Sequence, residues 1–162
     1  MSDEITSARQ AGHDPRVLAF GRLQGAANRL EYLLGRALEK ECGVTHLMYE
    51  VLLIVGRAGD DGLTMRSIAQ EQVLTTGGAT RLVDRMEALG LVTRTAHPRD
   101  RRVQLVRLTE LGEQTTVRAS RLHVANIERY FYAPLPDEHR ERFADDLRRL
   151  SHAARDALPR LR

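Results

Sequence analysis

The chain has 162 residues, of which 42% are hydrophobic and 29% charged, and its formal net charge is +3. That length and composition suit one compact globular domain, or two lobes sharing a core, and so small a charge excess argues only weakly for an anionic partner. A single cysteine, Cys42, excludes an internal disulfide framework. No apolar run approaches the roughly 18 residues that span a bilayer.

The N-terminus opens Ser2-Asp3-Glu4 and lacks the basic-then-apolar order of a signal peptide, so a soluble, cytoplasmic protein with no membrane partner is expected. Residues 1–13 carry no periodic pattern and are expected to be disordered. Asp14-Pro15 is a helix start, with Asp as cap and Pro at the first helical position. Val17, Phe20, Leu23, Ala27, Leu30, Leu34 and Ala37 then recur every three or four residues, marking a long amphipathic helix that ends near Cys42-Gly43. A second helix starting at Thr45 carries Leu47, Met48, Val51, Leu52 and Val55 and closes at the Gly59–Gly62 turn cluster.

Thr64 caps a short third helix with Met65, Ile68 and Ala69 facing inward, and Gln72–Leu74 forms a brief connection. Thr75 or Thr76 caps a fourth helix, with Ala79, Leu82, Val83, Met86 and Leu89 inward and Gly90 as its stop. The pattern then changes to two short strands, 91–95 and 103–108, joined by a turn at His97-Pro98-Arg99-Asp100. Thr109 caps a fifth helix running to about Tyr132, and a sixth spans about Pro136 to Leu158 with Phe143, Leu147, Leu150, Ala154 and Leu158 on one stripe.

The predicted fold is mainly α with a small two-stranded β-wing. Its segments are a disordered 1–13, helices over 14–62, a winged helix-turn-helix lobe over 63–109, and C-terminal helices over 110–162. Stripes as long as those on the terminal helices exceed what one small monomer covers comfortably, so pairing with a second copy is expected in preference to packing of the three long helices within one chain.

Helix, tight connection, helix and hairpin is the order of a winged helix-turn-helix, which sets its second helix in the major groove of duplex DNA. The exposed face of that helix presents Gly77, Gly78, Thr80, Arg81, Asp84 and Arg85. Its small, hydroxylated first turn, with Thr75 and Thr76, lets backbone N–H groups approach a phosphate, and Arg81 sits where a guanidinium reaches guanine. The hairpin holds Arg94, Arg99, Arg101, Arg102 and Arg107 around one acid, Asp100, which would steady one arginine while another enters a narrow minor groove. A charged hairpin kept soluble by its arginines is the competing reading, and the preceding helix pair decides against it.

At these residues the chain resembles the MarR family of bacterial transcription regulators. Asp100-Arg101-Arg102 followed by the apolar strand to Leu108-Thr109 is similar to that family's wing signature. Leu82-Val83-Asp84-Arg85-Met86-Glu87-Ala88-Leu89-Gly90-Leu91-Val92 is similar to its recognition helix and exit, and Thr45–Leu52 to the start of its second helix, with Met48 where a Gln is common. The resemblance covers about Asp14 to Leu158 and implies a homodimeric repressor on a pseudo-palindromic operator, with the terminal helices as dimer interface. It makes Arg102 the minor-groove residue with Asp100 as its support, and it turns Thr75, Thr76, Thr80, Arg81 and Arg85 to the major groove or its phosphates.

The resemblance also implies release from DNA by a small aromatic or phenolic effector bound between the dimerisation helices and the DNA lobe. Arg22, Arg29 and Arg36 on the first helix and His46 and Tyr49 on the second are the candidates to meet a carboxylate or phenol, beside a reading of surface arginines and a packed tyrosine. Two alternatives share the fold: a cysteine-based oxidant sensor, and an architectural protein indifferent to DNA sequence. No catalytic residue, metal site or cofactor is expected, because the six histidines are scattered and neither Cys-x-x-Cys nor a phosphate-binding glycine motif is present.

Overall fold

The computed structural model describes residues 4–158. Seven helices and three short strands follow in the order α1 (Ala8–His13), α2 (Pro15–Cys42), α3 (His46–Ala58), β1 (Leu63–Thr64), α4 (Met65–Glu71), α5 (Thr76–Ala88), β2 (Val92–Ala96), β3 (Gln104–Leu108), α6 (Glu110–Ile127) and α7 (Asp137–Ala157). One 3₁₀ turn at Gly59–Asp61 follows α3, and a π-helical turn at Glu128–Tyr132 continues α6.

Local chemistry sets most of these boundaries. The Asp14 carboxylate accepts from the Arg16 N–H at 2.8 Å ahead of Pro15, and α2 stops at Gly43, whose φ of 72° suits a residue without a Cβ. Threonine hydroxyls cap four helices: Thr45 accepts from the Met48 N–H, Thr64 from Ser67, Thr75 from Gly78 and Thr109 from Gly112. Thr75 rather than Thr76 is therefore the cap of α5.

Residues 8–13 correct the expectation of disorder over 1–13, because they form a helix. The Ser7 hydroxyl accepts from the Gln10 N–H at 3.2 Å, and Gln10 receives bonds from both the N–H and the hydroxyl of Thr6. Capping of this kind leaves no apolar period, and no residue of α1 is buried. Residues 1–3 of that segment lie outside the described residues.

The sheet has three strands rather than the two of the expected wing. β3 is central, pairing antiparallel with β2 from Val92↔Leu108 to Ala96↔Gln104, and with β1 at Leu63↔Val106 and Thr64↔Leu105. A strand of two residues is too short to show alternation, so only its pairing reveals it.

One core joins α3, α4, α5, the sheet, the last turns of α2 and the first half of α6. Leu38, Val44, Met48, Val51, Leu52, Val55, Ile68, Val83, Met86, Val92 and Val106 are the largest of its fully buried side chains. The core runs across residues 63 and 109, so the helix-turn-helix segment is closed by α3 and α6 and has no core of its own. The outer parts of the terminal helices differ. Val17, Phe20 and Leu23 on α2 and Leu150 on α7 are exposed, and α7 buries no residue. An apolar cleft of about 410 Å³ opens between them, lined by Leu23, Ala27, Leu30, Phe131, Phe143 and Leu147.

Candidate nucleic-acid interface

Helix α5 buries Ala79, Val83 and Met86 against the core, which turns the rest of its circumference outward. Thr75, Thr76, Gly77 and Thr80 are exposed around its first turn, and the Thr80 hydroxyl donates back to the Thr76 carbonyl at 2.9 Å. No Cβ contact lies within 4 Å of Gly77, so its backbone is open to close approach. Arg81 and Arg85, one turn apart, share one flank of the helix. Among the described residues neither has a carboxylate within 4.0 Å, so both guanidiniums are free to meet an anion.

The wing tip is built by backbone bonds. The His97 N–H donates to the Val103 carbonyl at 2.8 Å and the Val103 N–H to the Asp100 carbonyl at 3.0 Å. The Asp100 carboxylate accepts from the Arg102 N–H at 3.0 Å, while its distance to Arg102 Nε is 4.0 Å. Asp100 therefore steadies the main chain at Arg102 and leaves the side chain, 96% exposed, to project. Arg99 and Arg101 are exposed as well and have no carboxylate partner among the described residues.

The five hairpin arginines are thus not equivalent. Arg107 donates from Nε to the Asp60 carbonyl at 2.7 Å and also bonds the Thr95 hydroxyl, tying β3 to the 3₁₀ turn and to β2. Arg94 is paired with Asp84 and Glu87 of α5. Only the tip arginines remain for an external partner. The distinction was partly visible in the sequence, since strand alternation puts Arg94 on the same face as buried Val92.

The effector candidates separate in the same way. His46 Nδ1 bonds the Glu31 carboxylate of α2, and the His46 ring lies 5.1 Å from that of His123 on α6. Tyr49 is buried, its hydroxyl donating to Ser120 Oγ at 3.0 Å and its ring 4.9 Å from His123. Glu31, His46, Tyr49, Ser120 and His123 therefore form one cluster where α2, α3 and α6 meet. Burial, then the neighbouring His46, hold the His123 imidazole below its usual range, and Glu31 opposes them. His123 and Ser120 lie more than 70 positions from Tyr49, beyond any local sequence signal. Arg22, Arg29 and Arg36 stay exposed on α2 and make no bond to this cluster; Arg36 pairs with Glu39 at 3.7 Å. Cys42 is buried in the core.

The model of the MarR family matches residues 35–103, from the end of α2 to the wing tip. Over those residues the chain resembles the MarR family. Over 99 residues the chain is 28% identical to the uncharacterized HTH-type transcriptional regulator YkoM of Bacillus subtilis (strain 168), a match spanning 61% of this chain and 63% of that protein. Similar solved structures cover more of it. AbsC, a MarR family transcriptional regulator from Streptomyces coelicolor, is 25% identical with a TM-score of 0.79, over 88% of this chain and 96% of that one. Sco3205 from the same organism, solved in complex with DNA, shares the fold at 24% identity and a TM-score of 0.78, over 93% and 90%. CouR from Rhodococcus jostii RHA1, bound to p-coumaroyl-CoA, is 28% identical with a TM-score of 0.69, over 85% and 92%.

The expected winged helix-turn-helix architecture is present, and AbsC, which shares it, is a transcriptional regulator. No helix among the described residues is long and apolar enough to cross a membrane.

Proposed function

We propose that this chain is a MarR-family regulator that binds a pseudo-palindromic operator as a homodimer and represses transcription until a small aromatic effector releases it. One observation carries the DNA reading: Arg81 and Arg85 on the open face of α5, and Arg99 and Arg101 at the wing tip, all lack an acidic partner among the described residues. α5 serves as the recognition helix, with Thr75, Thr76, Gly77 and Thr80 against phosphates and Arg81 toward base edges. Arg102 enters the minor groove while Asp100 holds its backbone. Residues 63–109 act as the DNA lobe, 14–62 and 110–162 as its dimerising frame.

Exposed Val17, Phe20, Leu23 and Leu150 on the terminal helices, beside the apolar cleft, support dimerisation. A closed dimer then places two α5 helices about 34 Å apart, one turn of duplex. The effector site is assigned to the cluster around His46 and Tyr49, because it joins α2 to the core that carries α5. Burial of Cys42 in apolar surroundings weighs against an oxidant sensor.

Footprinting of the protein's own upstream region, repeated with a panel of aromatic acids, tests this reading. A discrete protected site lost on addition of one acid is expected, and uniform protection would instead support the architectural alternative. Arg102→Ala should lower the slope of log affinity against log salt by about one contact.

A further inference from the structure

Arg94 lies in the middle of β2, and its side chain is only 23% exposed. Its guanidinium is ion-paired with the Asp84 carboxylate, and Nη1 stands 3.6 Å from Glu87 Oε2. Its backbone N–H donates to Glu87 Oε1 at 3.1 Å, while its Nε is buried without a partner. Main chain and side chain of one wing residue are thus tied to two acids three positions apart on α5, which share one flank of the helix.

The two acids are otherwise out of place. A carboxylate on a helix facing phosphates repels them, and Asp84 and Glu87 outnumber the single guanidinium between them. Phosphate attraction alone gives no reason to keep either. Holding the wing does. Val92 and Val106 anchor the base of the hairpin in the core, but beyond Arg94 the residues Thr95, Ala96, Arg99 and Asp100 are all exposed. From Arg94 to the tip is about 16 Å of strand, so a tilt of about 10° at that point displaces the tip by roughly 3 Å. Such a displacement would take a side chain out of the groove.

We propose that Arg94, bonded to Asp84 and Glu87, is a positioning residue that locks the wing to the recognition helix, so that major- and minor-groove contacts are made in register. This rests on the reading of α5 and the wing as the DNA-contacting elements. The guanidinium acts on protein carboxylates and leaves contact with DNA to the exposed face of α5 and the tip arginines.

Asp84→Asn separates this from simple electrostatics, because the two predict opposite signs. Removing a negative charge beside the phosphates tightens binding if charge alone matters. Loss of the clamp weakens it, by about fivefold for one partly exposed charge-assisted contact. Operator affinity would be measured over a salt series, with Glu87→Gln and Arg94→Met alongside and folding checked by circular dichroism. Weaker binding with an unchanged salt slope is expected for all three, since no phosphate contact is lost. Hydrogen exchange of the free protein supplies a readout independent of DNA, and faster exchange of wing amides over 95–103 is expected in Asp84→Asn. Equal or tighter operator binding by Asp84→Asn overturns the proposal, whether or not the wing amides exchange faster. Failure of the wild-type protein to discriminate an operator would instead overturn the DNA reading, while unchanged wing exchange would still reject the clamp.

Discussion

The joint between the DNA lobe and α6 turns on Gly112, and replacing it with alanine isolates the packing there. Thr109 Oγ1 donates to the Gly90 carbonyl at 2.5 Å and accepts from the Gly112 N–H at 2.9 Å, and the Thr109 N–H donates to the Leu91 carbonyl at 3.1 Å. These bonds draw the first turn of α6 against the chain leaving α5. A Cβ on Gly112 would stand 1.9 Å from the Leu91 carbonyl oxygen and 3.0 Å from its carbon. The obstacle is backbone held by a hydrogen bond, so α6 must move by more than about 1 Å, breaking the Thr109 cap or the bond to Leu91. That places Gly112→Ala at the upper end of overpacking penalties, about 3 kcal/mol. For a chain of this size the loss corresponds to roughly 6–12 °C in Tm. Gly77→Ala is the control. Nothing lies within 4 Å of its Cβ position, and it sits in the first turn of α5. There the same substitution should raise stability by about 0.5 kcal/mol through helix propensity. It should also weaken operator binding, since the new methyl would stand where the proposed reading brings the backbone to phosphate. Calorimetry on both variants, followed by operator titration of Gly77→Ala, checks the pair. A Gly112→Ala protein melting within about 2 °C of wild type would refute the argument, since a shift that small corresponds to under about 1 kcal/mol.

Two further outcomes follow from single residues. Val73, in the turn between α4 and α5, has a φ of 52°, where a β-branched side chain is strained, so Val73→Gly should stabilise the protein by about 1 kcal/mol in denaturant titration; a loss of stability would show that its half-exposed side chain matters more than its backbone. His123 has its pKa lowered from 6.5 by burial, so the unfolded chain binds its proton first as pH falls. The contribution of His123 to stability should therefore be constant above about pH 6.5 and fall below it as pH approaches the folded-state pKa, and His123→Gln should lose that part of the slope in denaturation at pH 5–8. An identical pH profile in the variant would remove His123 as the cause.

The elements legible in the sequence were those governed by neighbours a few residues apart. Asp14, Thr45, Thr64, Thr75 and Thr109 cap helices through bonds spanning two or three positions, and α3 and α5 carry complete apolar stripes, so their starts and faces could be read directly. The order of helix pair and arginine-rich hairpin likewise named the candidate DNA face. Tertiary structure decided what depends on partners distant in the chain. β1 exists because Leu63 and Thr64 meet Val106 and Leu105, and Arg107 is engaged because Asp60 presents its carbonyl 47 positions away. His123 joins His46 and Tyr49 only once α6 crosses α2 and α3. Among five arginines of one hairpin, composition cannot tell a clamp from a probe. Burial and the placement of Asp84, Glu87 and Asp60 make that division, leaving Arg99, Arg101 and Arg102 at the tip and turning Arg94 and Arg107 inward.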